Sequence, residues 1–233
     1  MKMHDLEDFF KSFLDRSVFQ GREIVNQFDG LDDLVRYYKR KIDTADNNMA
    51  FMMLGHELFE KRIDFTHCKG GYNLIWDINR AQATINYVFQ QGLGKIFEPA
   101  AEELFPYTKE TDTQKSRLEY AFKNDMPVIV VDFTPTGGRI VIDGNHRVVA
   151  RYRKDPKMKV KTIGVVGFFQ LNFMPNDLFR KLYAVHQNLH SISNYMLGNI
   201  SREDLHTDAW LLQGTSDLEW MNNYFHQQDG NRL

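Results

Sequence analysis

The chain has one cysteine, Cys68, among its 233 residues, so no intrachain disulfide can form. It has no long hydrophobic run: the longest fall well short of the roughly 18–20 apolar residues that a membrane helix needs. The first stretch, Met1 to Phe13, carries Asp5, Glu7 and Asp8, which is wrong for a secretory leader. These absences lead us to expect a cytoplasmic protein with no membrane partner. Positive charge is not in excess either. There are 29 Lys and Arg against 31 Asp and Glu, a net charge of −2. A protein whose main task is gripping nucleic acid is usually basic, because phosphate contacts drive that binding. The balance lowers a DNA role without removing it, since a local basic patch fits inside a neutral total. Repeats and low-complexity linkers are absent too.

What is present suits a packed core. Hydrophobic residues are 42% and charged residues 26%, with 18 Phe, 10 Tyr and 3 Trp, an ordinary globular composition. The first 65 or so residues read as helical. Leu6, Phe9, Phe10, Phe13 and Leu14 recur at helical spacing, and so do Leu31, Leu34, Val35 and Tyr38, with Asp29 as a candidate N-cap. Met49 to Leu58 is a third apolar patch. Lys69-Gly70-Gly71 interrupts the pattern and marks a boundary. Asp77 or Asn79 caps a helix running through Ala81, Ile85, Val88 and Phe89 to Gly92, and Thr113 to Asn124 is a second short helix.

The period then changes. Val128 to Phe133 is a continuous β-branched run, as in a buried strand. Thr134 to Gly138 is a turn, Arg139 to Ile142 the returning strand, and Asn145 to Lys154 a helix with Val148, Val149 and Tyr152 inward. Val160 to Phe169 reads as another strand. From Pro175 onward the chain reads as helical, with Leu178, Leu182, Val185 and Leu189 at helical spacing.

The run with chemical content is Asp143-Gly144-Asn145-His146-Arg147. A strand delivers the chain to a glycine turn and a helix starts at once. Its first N–H groups have no helical partner and attract an anion, aided by the helix dipole. His146 and Arg147, cationic groups against that dipole, make sense if an anion sits there. Asp143 can cap the helix, orient His146 or Arg147, or hold a metal ion beside phosphates. The plain alternative is a capped turn with a solvated His-Arg pair, and spacing alone leaves the two about even.

The stretch from Ser116 to Gly167 resembles the N-terminal domain of ParB-type proteins and the wider ParB/sulfiredoxin superfamily. The matching parts are Met126-Pro127, Val128 to Phe133, Gly137-Gly138, Ile140 to Ile142, and the Asp143–Arg147 box followed by Val149-Ala150. The box also resembles those of free-serine kinases and DNA-modification accessory proteins. The resemblance implies an α+β fold: a ParB/sulfiredoxin-like mixed-sheet core over 71–170, with a helical N-terminal extension (1–70) and a helical C-terminal extension (171–233). It implies nucleotide binding, with Gly144, Asn145, His146 and Arg147 cradling phosphates and Asp143, His146 and Arg147 as catalytic candidates. The implied cofactors are a nucleoside triphosphate and Mg²⁺, and the implied activity is phosphotransfer to a small-molecule or protein acceptor, or nucleotide hydrolysis. The second reading is a non-catalytic DNA-associated module. Two departures narrow the choice. Asn145 stands where sulfiredoxin has its cysteine, which argues against sulfinic-acid repair. No basic recognition helix follows residue 175, which argues against chromosome partition. The serine kinases use an acidic residue upstream of the box, for which Asp77 and Glu98 are candidates.

Weaker signals complete the reading. His186 and His190, four apart, have a metal-ligand spacing but no evident third ligand, so a helix surface is the expectation. His56-Glu57 lacks the second histidine of a zinc-protease motif, and Gly92-Leu93-Gly94-Lys95 lacks phosphate-loop spacing. Arg147, Arg151, Arg153, Lys154, Lys157, Lys159 and Lys161 form a basic stretch, either a solvated face or a nucleic-acid surface.

Overall fold

The computed structural model describes residues 4–109 and 115–209. Strand β1 (His4–Asp5) leads into α1 (Glu7–Leu14), followed by α2 (Leu31–Asp43). The apolar spacing of these helices does what it implies: Phe9, Phe10 and Phe13 of α1 and Leu31, Val35 and Tyr38 of α2 are buried. Asp29 is not the cap of α2. Gly30 holds that position in a left-handed conformation, with no side-chain cap. The Met49–Leu58 patch is not core either, for Met52, Met53 and Leu54 lie exposed in a short 3₁₀ turn.

The next elements are β2 (Leu58–Asp64), β3 (Gly71–Asp77) and α3 (Ile78–Gln90). The three strands β1, β3 and β2 make an antiparallel sheet with β3 in the centre. This hairpin was not expected within a helical N-terminal segment, and the boundary expected after residue 70 falls in its turn. A Cβ on Gly71 would stand 2.2 Å from the Ile63 carbonyl oxygen, so the strand start has no room for a side chain. Asp77 caps α3 as expected, its Oδ1 accepting from the Arg80 N–H at 3.0 Å.

After α4 (Ala101–Leu104) and α5 (Lys115–Lys123) come β4 (Val128–Phe133), β5 (Gly138–Asp143), α6 (Asn145–Lys154) and β6 (Thr162–Val165). These strands form a mixed sheet in the order β5-β4-β6, with β4 antiparallel to β5 and parallel to β6. The run at 128–133 is continuous because both faces of β4 are covered. Ile129, Val131 and Phe133 join the main core, while Val128 and Val130 join a smaller cluster with Val141, Val148 and Val160. β6 is shorter than the Val160–Phe169 run suggested, because the chain turns into a 3₁₀ segment at Gly167–Phe173.

Helix α7 (Asp177–Met196) crosses the main core, capped by the Asn176 side chain, which accepts from the Phe179 N–H at 3.1 Å. Phe179, Leu189 and Ile192 on it are fully buried, and Asn188 reaches the Tyr38 hydroxyl of α2 at 3.1 Å. Helix α8 (Arg202–Ala209) ends the described chain. The main cluster draws on α1, α2, both sheets and α7, so the α+β class holds with helices packed on both sheets. The expected helical stretch beyond Ala209, like the start of the helix expected at Thr113, lies outside the described residues. No helix among the described residues is long and apolar enough to cross a membrane.

Candidate phosphate-binding cleft

The β4–β5 pairing shifts register between Ile129 and Val130, which face Asp143 and Val141. Ile142 is therefore the extra residue of a bulge, and bulges re-aim the chain at a strand end. The strand then gives way to Gly144, at φ 88°, and α6 begins. The first helical bond runs from the Val148 N–H to the Gly144 carbonyl at 3.1 Å, and no side chain caps the helix. The N–H groups of Asn145, His146 and Arg147 thus lie in the uncapped first turn, as the sequence implied.

The side chains of the box divide into two kinds. Arg147 is buried: its Nη1 donates to the carbonyls of Met126 (2.7 Å) and Pro127 (3.2 Å), and its Nη2 donates to Asp143 Oδ1 (2.9 Å). Asn145 is also committed, its Nδ2 donating to the Val141 carbonyl at 2.8 Å and its Oδ1 accepting from the Lys109 N–H at 2.9 Å. A Cβ on Gly144 would come within 2.5 Å of Val128 Cγ1 and 2.8 Å of Arg147 Nε. The glycine therefore makes room for protein atoms, where the sequence reading made room for an anion. Two groups remain available. His146 Nε2 is buried with no hydrogen-bond partner. Asp143 Oδ2 has only the Gln82 amide, at 3.4 Å.

The box borders a cleft of about 640 Å³ whose walls include Glu57, Phe59, Lys109, Arg117 and Tyr120. Lys109 Nζ donates to the Glu60 carbonyl at 3.1 Å and lies 5.9 Å from the Phe59 ring centre. Arg117 is exposed and has no partner among the described residues. Lys61 has its pKa lowered by burial first and by the charge of Lys109 second, a sign of local positive potential. Sequence reasoning missed Lys109, Arg117 and Phe59. They lie 30 to 88 positions from Arg147, and only tertiary contact joins them to the box.

The other candidates fall outside the cleft. Asp77 is engaged on both oxygens, by the α3 N-terminus and by His56 Nδ1 at 2.7 Å, and neither it nor Glu98 lines the cleft. Burial, with Asp8 adding, pushes the Cys68 thiol up to about 11, so it stays protonated at neutral pH. Among the described residues no group of three His, Cys, Asp or Glu side chains could hold a metal. In the basic stretch, Arg147 and Arg151 are buried, Arg151 and Lys161 meet Asp125, and Lys154 lies over the Phe122 ring at 4.1 Å. Arg153, Lys157 and Lys159 remain as solvated cations. Comparison of the chain with protein-family models, curated proteins and solved structures returned no match.

Proposed function

We propose that the chain is a nucleotide-binding protein of ParB/sulfiredoxin-like type, seating the phosphates of a nucleoside triphosphate at the start of α6. The observation that carries this reading is the uncapped first turn of α6 on a cleft that also holds Lys109 and Arg117. The order helix, strand, turn, strand, helix, strand from Lys115 to Val165 is the order the resemblance implies. Backbone N–H groups of 145–147 donate to the phosphate oxygens, with the His146 ring packed beneath them, and the two exposed cations neutralise the phosphate charge. Phe59 and Tyr120 offer aromatic faces to the base.

Roles differ from those expected of the box. Arg147 and Gly144 build the site and do not touch the ligand, while Lys109 and Arg117 take over the charge stabilisation assigned to Arg147. Glu57 and Asp143 are the acids on the cleft, and Asp143 already accepts from Arg147. That donor set does not fit a Mg²⁺ ion held by the protein, and no step is routed through one. Transfer of a phosphoryl group to a small-molecule or protein acceptor, or to water, would take place at the mouth of this cleft.

Calorimetry with ATP, CTP and GTP tests the reading, alongside an assay for released phosphate. Arg117→Ala should weaken binding about tenfold or more, the worth of one charge-assisted hydrogen bond. Its melting temperature should not move. If no nucleotide binds below millimolar concentration, the proposal fails.

A further inference from the structure

A second hollow, of about 260 Å³, lies between α1, the segment following it, the turn joining β2 to β3, and α7. Two features of its walls are at odds with an inert packing gap. Its lining includes three phenylalanines, Phe9, Phe13 and Phe65. The imidazoles of His67 and His186 stand against these rings, and the lining also carries Arg22, His190, Thr66 and Thr136. The expectation that His186 and His190 sit on a helix surface therefore gives way: His186 is buried, and both line this hollow.

The hydrogen bonds show which atoms are free. Tyr72 is fully buried and its hydroxyl lies 2.7 Å from His186 Nδ1. The Tyr72 hydroxyl has no other acceptor among the described residues, so its buried O–H is satisfied by donating to Nδ1, which assigns the proton of the neutral ring to Nε2. That N–H has no partner among the described residues. His190 Nε2 accepts from Asn194 at 2.9 Å. Arg22 donates to the Val18 carbonyl at 2.9 Å and meets no carboxylate. The acid on the wall, Asp64, is taken by Arg62 at 2.9 Å. The hollow thus offers donors and a guanidinium that meets no carboxylate, while the one acid in its lining is already paired with Arg62. A metal is not the missing group, because these imidazoles do not converge with a third ligand.

We propose that this hollow binds a small organic carboxylate, whose oxygens meet Arg22 and the His186 Nε2–H while its carbon chain lies against Phe9, Phe13 and Phe65. The phenylalanines in the lining are what favour an organic acid over an inorganic oxyanion, which would bring charge alone against apolar rings. The volume limits the ligand to a few carbons. This site shares no residue with the cleft at α6 and does not depend on its reading.

Titration of the full chain with propionate, butyrate and inorganic phosphate, followed by imidazole NMR signals and calorimetry, tests the proposal. Butyrate should shift the signals of His186 and His67 saturably, and phosphate should not. Arg22→Gln changes an exposed residue, so the fold should survive, and it should weaken butyrate binding about tenfold or more through loss of a charge-assisted contact. His186→Phe should abolish it. Three results would each overturn the inference: no saturable shift at millimolar butyrate, equal binding by Arg22→Gln, or phosphate binding as tightly as butyrate.

Discussion

Replacing Arg147 by alanine strips donors from the carbonyls of Met126 and Pro127 and leaves Asp143 without its ion partner. Both side chains of that pair are largely shielded from water, at 9% and 16% exposure. Breaking such a pair from one side costs about 3–5 kcal/mol. Arg147→Ala should therefore show a lower urea midpoint before any affinity is measured, whereas Arg117→Ala should leave the midpoint unchanged. The two mutants separate scaffold from site. Gly144→Val makes the same point through the backbone. Positive φ on a β-branched residue costs about 1–3 kcal/mol, and the contact with Val128 and Arg147 adds overpacking of similar size. The expected outcome is a clear fall in melting temperature, with nucleotide affinity in the folded fraction close to normal. Loss of affinity at an unchanged melting temperature would mean that a ligand, and not Val128, claims the space above Gly144.

Helix α7 carries an acid-sensitive element. Burial first, then the charges of His190 and His67, pushes the His186 imidazole down to about 3. The unfolded chain binds that proton near 6.5. The stability tied to a neutral His186 is thus complete above about pH 6.5. It drains away as the pH falls from there toward about 3, at up to about 1.4 kcal/mol per pH unit. Urea melts at pH 7 and pH 5 should show the loss, and His186→Gln, which keeps an acceptor for Tyr72, should flatten it. An equal slope in both proteins would place the acid sensitivity elsewhere. The elements also show which signals were legible. β4, α6 and α7 were readable because strand run, helical spacing and turn glycines agree there on one structure. β2 was not, because Glu60, Lys61 and Arg62 look like helix surface and become a strand only through pairing with β3. β3 had its own signal in Tyr72, Leu74, Ile75 and Trp76, a short apolar stretch broken by Asn73 and hidden by the glycine pair before it. The apolar run after Val165 read as a continuation of β6 and not as a 3₁₀ turn, since apolar composition alone does not specify period. At the box, the backbone part of the site could be read from order alone. The partners of Arg147 could not, because Met126 and Pro127 contribute carbonyls, which no side-chain pattern reveals.

At the scale of the whole molecule, the main core draws on residues from Leu6 to Leu205. A fragment spanning 71–170 would lose the β2 partner of β3 and the α7 cover of both sheets. Limited proteolysis of the folded protein should give no stable fragment near those limits; recovering one that melts cooperatively would show that the extensions are dispensable. DNA binding should be weak, with a shallow salt dependence, because Arg147, Arg151, Lys154 and Lys161 are already engaged within the fold. Fluorescence anisotropy with duplex DNA at two salt concentrations checks this, and a steep slope would revive the second reading. The central position of α7 also has a consequence in time. Trp76, fully buried in the finished protein, leaves the ribosome some hundred residues ahead of the helix that completes its surroundings. At roughly 5–20 residues per second that interval lasts about 5–20 s. Throughout it the first sheet lacks the cover of α7, and the nascent chain presents to chaperones an apolar surface that the mature molecule hides.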